Sequence, residues 1–354
     1  KIKFLDRFFS VPIREKMVLI RNLSVMISSG IAISRALKNI TEQTRNKKLA
    51  KILGRIREDV QTGTSLSDAF SKYPGVFNEL LVNMIRVGEM AGNLEEVLTI
   101  LATQFEKDYE LKSRVKGAMI YPMVILLAMV GIGALMMIYV VPQVTKVLED
   151  LGSELPYTTQ MIISISNILR NHYLWVIGGM LAIYVGGKLF FTLNIGKKTI
   201  GMLLLYIPII KNIVIKLNCA RFSRIYSSLL KSGVSVVEAL QILSRTLTNF
   251  YYSQAMIRIS ENIQKGVNLS KLIAQENKIF PALVSQMIEV GEETGKTEVV
   301  LLKLAEFYEE EINQLTKNMS SVIEPVLMII IGSAVGFFAV SILQPMYSVL
   351  ENIK

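Results

Sequence analysis

The chain has 354 residues, 51% of them hydrophobic, with a net charge of +10 and a mean hydropathy of +0.42. That is too apolar for an ordinary soluble basic protein and points to a membrane protein, in which excess lysine and arginine marks the cytoplasmic side. One histidine, His172, excludes a multi-histidine metal site, and one cysteine, Cys219, excludes an intramolecular disulfide and fits a small buried hydrophobe.

In chain order, residues 1–11 are a basic, aromatic lead-in (Phe4, Phe8, Phe9) suited to a membrane surface. Helical periodicity and punctuation then predict Pro12–Ser29, Ser34–Thr44, Lys47–Gln61, Ser65–Ser71, Phe77–Ala91 and a long helix from Leu94. Strand signals are poor, and the glycines from Gly30 to Gly92 mostly fall between helices. At Met84–Leu98, MIRVGEMAGNLEEVL, Gly92 stands where a left-handed residue ends one helix, and Asn93 with Glu96 resembles a capping box opening the next. Glu89 lies near a helix end, where a negative charge is unfavourable by about 0.3–1 kcal/mol. The expectation is that a lysine or arginine compensates it, the alternative being contact with a partner.

Three apolar stretches follow. Ala118–Val141 has 24 residues, about 36 Å as a helix and long enough to cross a bilayer, with a kink predicted at Pro122. Asn171–Gly187 is long enough only if Lys188 snorkels and the helix continues toward Leu193. Pro325–Leu350 is uncharged, and its Gly332 and Gly336 would let another helix approach closely. A shorter run, Ile200–Ile210, contains Pro208 and fits an interfacial segment. The predicted division is therefore a cytoplasmic helical domain at 1–117, spans at 118–141 and 171–193 around an external loop at 142–170, a second cytoplasmic domain at 194–321, and a third span at 322–350. Residues 1–117 carry 20 Lys+Arg against 13 Asp+Glu, and residues 188–320 carry 16 against 11, which places both domains inside and the C-terminus outside. The same balance makes membrane topology, not nucleic-acid binding, the reading of the positive charge.

The chain is also duplicated. Met287–Leu301, MIEVGEETGKTEVVL, repeats Met84–Leu98 at an offset of 203 residues with nine of fifteen positions identical, so that Gly88, Glu89 and Gly92 answer to Gly291, Glu292 and Gly295. The offset holds without a gap for Gly30 and Gly233, Leu66 and Leu269, Pro122 and Pro325, and Pro142 and Pro345. Each repeat thus comprises a cytoplasmic domain and the span after it. Both repeats enter the membrane in the same direction, which predicts a pseudo-symmetry axis along the membrane normal.

The duplicated Gly-Glu-x-x-Gly, the prolines at the mouths of the spans (Pro122, Pro325) and the elements Ser29-Gly30…Ala36-Leu37 and Ser232-Gly233…Ala239-Leu240 resemble the type II secretion F family. These are inner-membrane platform proteins of type IV pilus and type II secretion machines. The resemblance covers nearly the whole chain and implies an all-α membrane protein with two repeated six-helix cytoplasmic bundles and three transmembrane helices in the bacterial inner membrane. It further implies a non-enzymatic platform without a cofactor, coupling a cytoplasmic hexameric assembly ATPase to insertion of pilins or pseudopilins. Implied partners are the chain itself, that ATPase, a retraction ATPase where present, and inner-membrane alignment proteins. Members often carry a longer segment before the first helix, so a trimmed N-terminus or a shorter branch of the family is expected here.

Catalytic motifs are absent from the sequence. Gly295-Lys296-Thr297 invites a P-loop reading, but Val290 stands where the first glycine is required, and helix rather than strand is predicted before it. The acidic run Glu309–Glu311 fits a solvated helix face, with a cation site as the alternative. Glu324, at the mouth of the third span, is either interfacial or a contact to a passing pilin. The competing function is a transporter using the three spans as a substrate path; the absence of ionisable side chains from the first and third stretches argues against it.

Overall fold

The computed structural model describes residues 11–150, 157–190, 193–206 and 208–352, and contains helices but no strand among them. Of the expected surface segment at residues 1–11, residues 1–10 lie outside the described residues. The first repeat opens with α1 (Ile13–Ser28), α2 (Ile33–Gln43), α3 (Lys47–Gln61), α4 (Leu66–Ser71), α5 (Glu79–Ala91) and α6 (Leu94–Ala118). Local chemistry sets these limits: Asn46, Ser65 and Asn78 cap α3, α4 and α5 by accepting from the N–H groups of Leu49, Asp68 and Leu81. Then come α7 (Ile120–Leu135), a π-helical turn at Met136–Val140, α8 (Val141–Asp150), α9 (Tyr157–Asn171), α10 (Tyr173–Phe190) and α11 (Asn194–Tyr206). The second repeat follows as α12 (Pro208–Lys231), α13 (Val236–Thr246), α14 (Phe250–Ile263), α15 (Leu269–Gln275), α16 (Ala282–Thr294) and α17 (Thr297–Asn352).

The chain divides into two compact units. One holds the polar helices up to Ser113 together with Lys197–Asn313. The helices of both polar domains thus fall within one compact unit. They meet through α5 against α13 and through ion pairs of α6 with α12, Asp108–Arg221 at 2.7 Å and Glu96–Lys231 at 3.4 Å. Each domain has its own apolar centre. In the first, Leu23, Leu37, Leu53 and Leu101 are buried beside an edge-to-face pair, Phe70 and Phe77, with ring centroids 4.5 Å apart. In the second, Phe280 packs edge-to-face against both Phe222 and Tyr252 at 5.2 and 5.0 Å.

Cys219 lies fully buried in that second core, near the carbonyl of Ile279 that the Tyr252 hydroxyl also reaches. Burial pushes its thiol up to about 12, so the thiolate that reacts with maleimides is scarce at neutral pH. We expect no labelling of the native chain in detergent at pH 7.5 and one label per chain in guanidinium, read by intact mass. Labelling of the native chain would contradict this burial.

The second unit comprises Arg114–Gly196 and the chain from Gln314 onward. Among the described residues two helical stretches are by themselves long and apolar enough to cross a membrane, Leu94–Val147 and Ile323–Ser341. Their apolar side chains point outward, Leu127 and Ile329 among them, as lipid-facing residues do. The middle stretch is α10, which bends by 91° from α9 at His172 and measures about 27 Å. The predicted connecting loop at 142–170 is largely helical, as α8 and α9. The predicted kink appears as a break at Met119, between α6 and α7. Pro122 has no N–H to give the Ala118 carbonyl, so the helical ladder is interrupted one turn before the proline. Pro142 similarly follows the π-helical turn, whereas Pro325 sits inside the unbroken α17.

Candidate functional site at the duplicated turn

At both copies of the turn a glycine takes the left-handed conformation, Gly92 at φ 70° and Gly295 at φ 65°. In the first copy the Asn93 N–H donates to the Gly88 carbonyl at 3.0 Å and the Gly92 N–H to that of Glu89 at 3.4 Å, the Schellman pattern that satisfies the last carbonyls of α5. Lys296 N–H to Gly291 O, at 3.1 Å, repeats the outer bond in the second copy. The predicted capping box does not form: the Asn93 Oδ1 is buried and accepts no hydrogen bond among the described residues. The backbone of Asn93 is committed to closing α5, and its side chain leaves α6 uncapped.

Directly after each turn the chain reverses onto its own helix, so close that a side chain at Gly291 has no room and one at Gly88 is crowded. A Cβ on Gly88 would lie 3.1 Å from the Leu94 Cα and from Val97, and one on Gly291 would lie 2.8 Å from the Thr297 Cα. We expect Gly291→Ala to destabilise by about 1–3 kcal/mol and Gly88→Ala by less, because the first clash is with backbone and the second partly with a movable side chain. Thermal unfolding in detergent checks the order; equal stability of both variants with wild type would overturn it.

Glu89 is compensated by a helix, not by the expected lysine or arginine. Its Oε1 accepts from the Leu66 N–H at 2.5 Å, and its Oε2 accepts from the N–H and the hydroxyl of Ser67 at 3.0 and 2.6 Å. The carboxylate therefore sits on the first N–H groups of α4, where the orphan donors and the positive end of the helix dipole favour a negative charge. The second copy repeats this: Glu292 takes the N–H of Leu269 at 2.8 Å and the N–H and hydroxyl of Ser270 at 3.3 and 2.6 Å. Ser67 and Ser270 were missed by the sequence reading, although both follow the paired leucines Leu66 and Leu269 at the same offset. The two copies differ around the carboxylate. Tyr226, where the first copy has Leu23, helps line an open cavity of about 310 Å³ with Glu292, Leu269 and Thr297. Burial, with the charge of Glu292 adding to it, pushes the Tyr226 hydroxyl well above the usual phenol range.

Elsewhere the predicted residues fall as follows. Gly332 and Gly336 are exposed on α17 with nothing within 4 Å of an added Cβ, so none of the described helices of this chain uses their close approach. Pro122 is buried and Pro325 exposed. Lys296 is an exposed residue between two helices. The acidic run is not simply solvated: Glu309 pairs with Arg224, through Oε2 and Nη2 at 2.8 Å and through Oε1 and Nε, and Glu311 pairs with Lys216. No group of side chains able to hold a metal occurs among the described residues.

The geometry describes a joint that ties two consecutive helices and a third helix terminus together twice in one chain. Comparison with known proteins places it. The family model described as Type II secretion system (T2SS), protein F matches residues 19–142 and 222–345, two matches separated by the same 203 residues as the duplicated turn. The Type IV pilus assembly protein PilC of Thermus thermophilus is 34% identical over 97% of this chain and 84% of its own length. That of Myxococcus xanthus is 33% identical over 98% and 83%. The Type II secretion system protein F of Aeromonas hydrophila is 31% identical over 94% and 85%. With the helical unit, the joint and the family match all present twice at one spacing, the chain belongs to the type II secretion system F family.

Proposed function

We propose that the chain is a non-enzymatic platform of the inner membrane that couples a cytoplasmic assembly ATPase to insertion of pilins or pseudopilins, in type IV pilus biogenesis or type II secretion. The observation that carries this reading is near full-length similarity to proteins named for both machines, in a chain whose polar helical unit runs twice into an apolar helix. On this reading residues 1–117 and 194–321 face the cytoplasm, 118–141, 171–193 and 322–350 span the bilayer, and the C-terminus lies outside. Besides the ATPase and the pilins, the partners are inner-membrane alignment proteins, a retraction ATPase where one exists, and further copies of this chain. Gly332 and Gly336, unoccupied by the chain's own described helices, offer a close approach for a neighbouring span. Glu89, Glu292 and the glycines around them hold the helices that the motor would press on.

The test is a pull-down of the co-encoded assembly ATPase by the full chain in native membranes, beside an ATP hydrolysis assay of the chain alone. We expect capture of the ATPase, no hydrolysis, and unchanged pilus or secretion output from Lys296→Ala, since the Lys296 side chain is an exposed turn substituent. Hydrolysis by the chain that disappears in Lys296→Ala would overturn the platform reading in favour of a motor, and solute flux in vesicles without ATPase capture would favour a transporter.

A further inference from the structure

Within the unit formed by the two polar domains, the contacts between the repeats among the described residues lie on one side. Repeat one contributes α5 and α6, and repeat two contributes α12 and α13. The two ion pairs of α6 with α12 lie 12 residues apart on α6, about 18 Å, so the two helices are bridged at points more than three turns apart. A two-fold relation would also bring the counterparts together, α17 of repeat two onto α1 of repeat one. Among the described residues the counterpart faces stay exposed. Gln104 of α6 is 5% exposed, while its counterpart Phe307 on α17 is 47% exposed; Leu80 of α5 is 2% exposed and its counterpart Leu283 is 37%. On the other side Arg221 is covered by Asp108, while its counterpart Val18 on α1 is 42% exposed and Val25, one helical stretch further along the same face, is 58%.

We propose that the face of α17 around Val299 and Phe307, with Leu283 beside it, binds the α1 face around Val18 and Val25 of a second copy of this chain. The contact reuses between chains the packing seen within one. A contact between two different faces leaves both faces free at the ends of the pair, and a second chain is the partner that carries the complementary one. The counterpart positions differ in chemistry: the inner contact is held by Glu96, Asp108, Arg221 and Lys231, and at the same positions the outer faces carry Val299, Glu311, Val18 and Ser28, so that two of the four charges become valines and the charge of Glu311 is taken up by Lys216. Exposed valines and a phenylalanine on two matched faces are what water would drive together. This rests on the self-association in the function proposed above and assigns the surface for it.

The experiment places a benzophenone amino acid at position 307 of the full chain in native membranes, with two differently tagged copies co-expressed. We expect an adduct of twice the chain's mass carrying both tags, with cross-linked peptides from α1 of the other copy. We also expect Phe307→Glu and Val25→Glu each to weaken self-association in detergent at least tenfold, with unchanged thermal unfolding because both side chains are on the surface. A doubled adduct that maps to α17 itself, or to any segment other than α1, would overturn this surface while leaving self-association standing. Absence of any two-tag adduct, with self-association unchanged in both variants, would also overturn the surface. A chain that stays monomeric in every preparation would overturn both.

Discussion

Arg224→Ala should destabilise the chain by about 3–5 kcal/mol, and Arg21→Ala, the same substitution in the other repeat, by about 0–1 kcal/mol. The two arginines are counterparts at the 203-residue offset, and so are their partners Glu309 and Glu106. The covalent chemistry is therefore matched and only the surroundings differ. The side chains of Arg224 and Glu309 are 8% and 12% exposed and meet in a two-pronged contact, whereas those of Arg21 and Glu106 are 63% and 37% exposed and meet at 2.6 Å. Removing Arg224 leaves Glu309 charged and largely cut off from water, while removing Arg21 leaves Glu106 in reach of solvent. Arg224→Ala with Glu309→Ala should recover much of the loss, because no lone buried charge remains. Guanidinium titrations of wild type and the three variants in detergent measure this. Equal effects of the two arginine substitutions would mean that the pair is open to solvent in the detergent-solubilised chain.

That asymmetry shows where sequence reasoning reaches its limit. The helices of the first polar domain were legible to within a residue or two at most ends, because proline, glycine and short capping side chains punctuate them: Lys47–Gln61 was read as it stands, and Phe77–Ala91 begins two residues later, after Asn78. The left-handed glycines were legible for the same local reason. The partner of Glu89 was not, since the N-terminus of α4 is 22 residues away and is brought to the carboxylate only by the packing of α4 on α5. Nor was the difference between the repeats. Periodicity reports that Arg21 and Arg224 hold equivalent positions on their two helices, but whether a second domain covers that position depends on how the repeats meet. The helices at 142–170 were missed because their composition was read only for charge and topology, although Val141–Asp150 is strongly amphipathic.

At the duplicated turn, Glu89→Ala should cost about 2–4 kcal/mol and Glu292→Ala about 1–2 kcal/mol. Each carboxylate accepts three hydrogen bonds at the start of a short helix, and alanine leaves two backbone N–H groups and a serine hydroxyl without their acceptor. The larger loss falls on Glu89, which is half-buried with backbone bonds of 2.5 and 3.0 Å; Glu292 is exposed, its bonds are 2.8 and 3.3 Å, and water can replace it more fully. Glu89→Gln should fall between wild type and alanine, since it keeps one carbonyl acceptor and loses the charge that suits a helix N-terminus. Amide exchange reports the cause directly: Leu66 and Ser67 should lose protection in Glu89→Ala while α3 keeps its own. If the glutamates instead serve to contact a partner, the alanine variants will unfold as wild type does, exchange at Leu66 will not change, and only assembly of the machine will fail. A joint of α4, α5 and α6 predicts the opposite order of events, with stability lost first and assembly lost because of it.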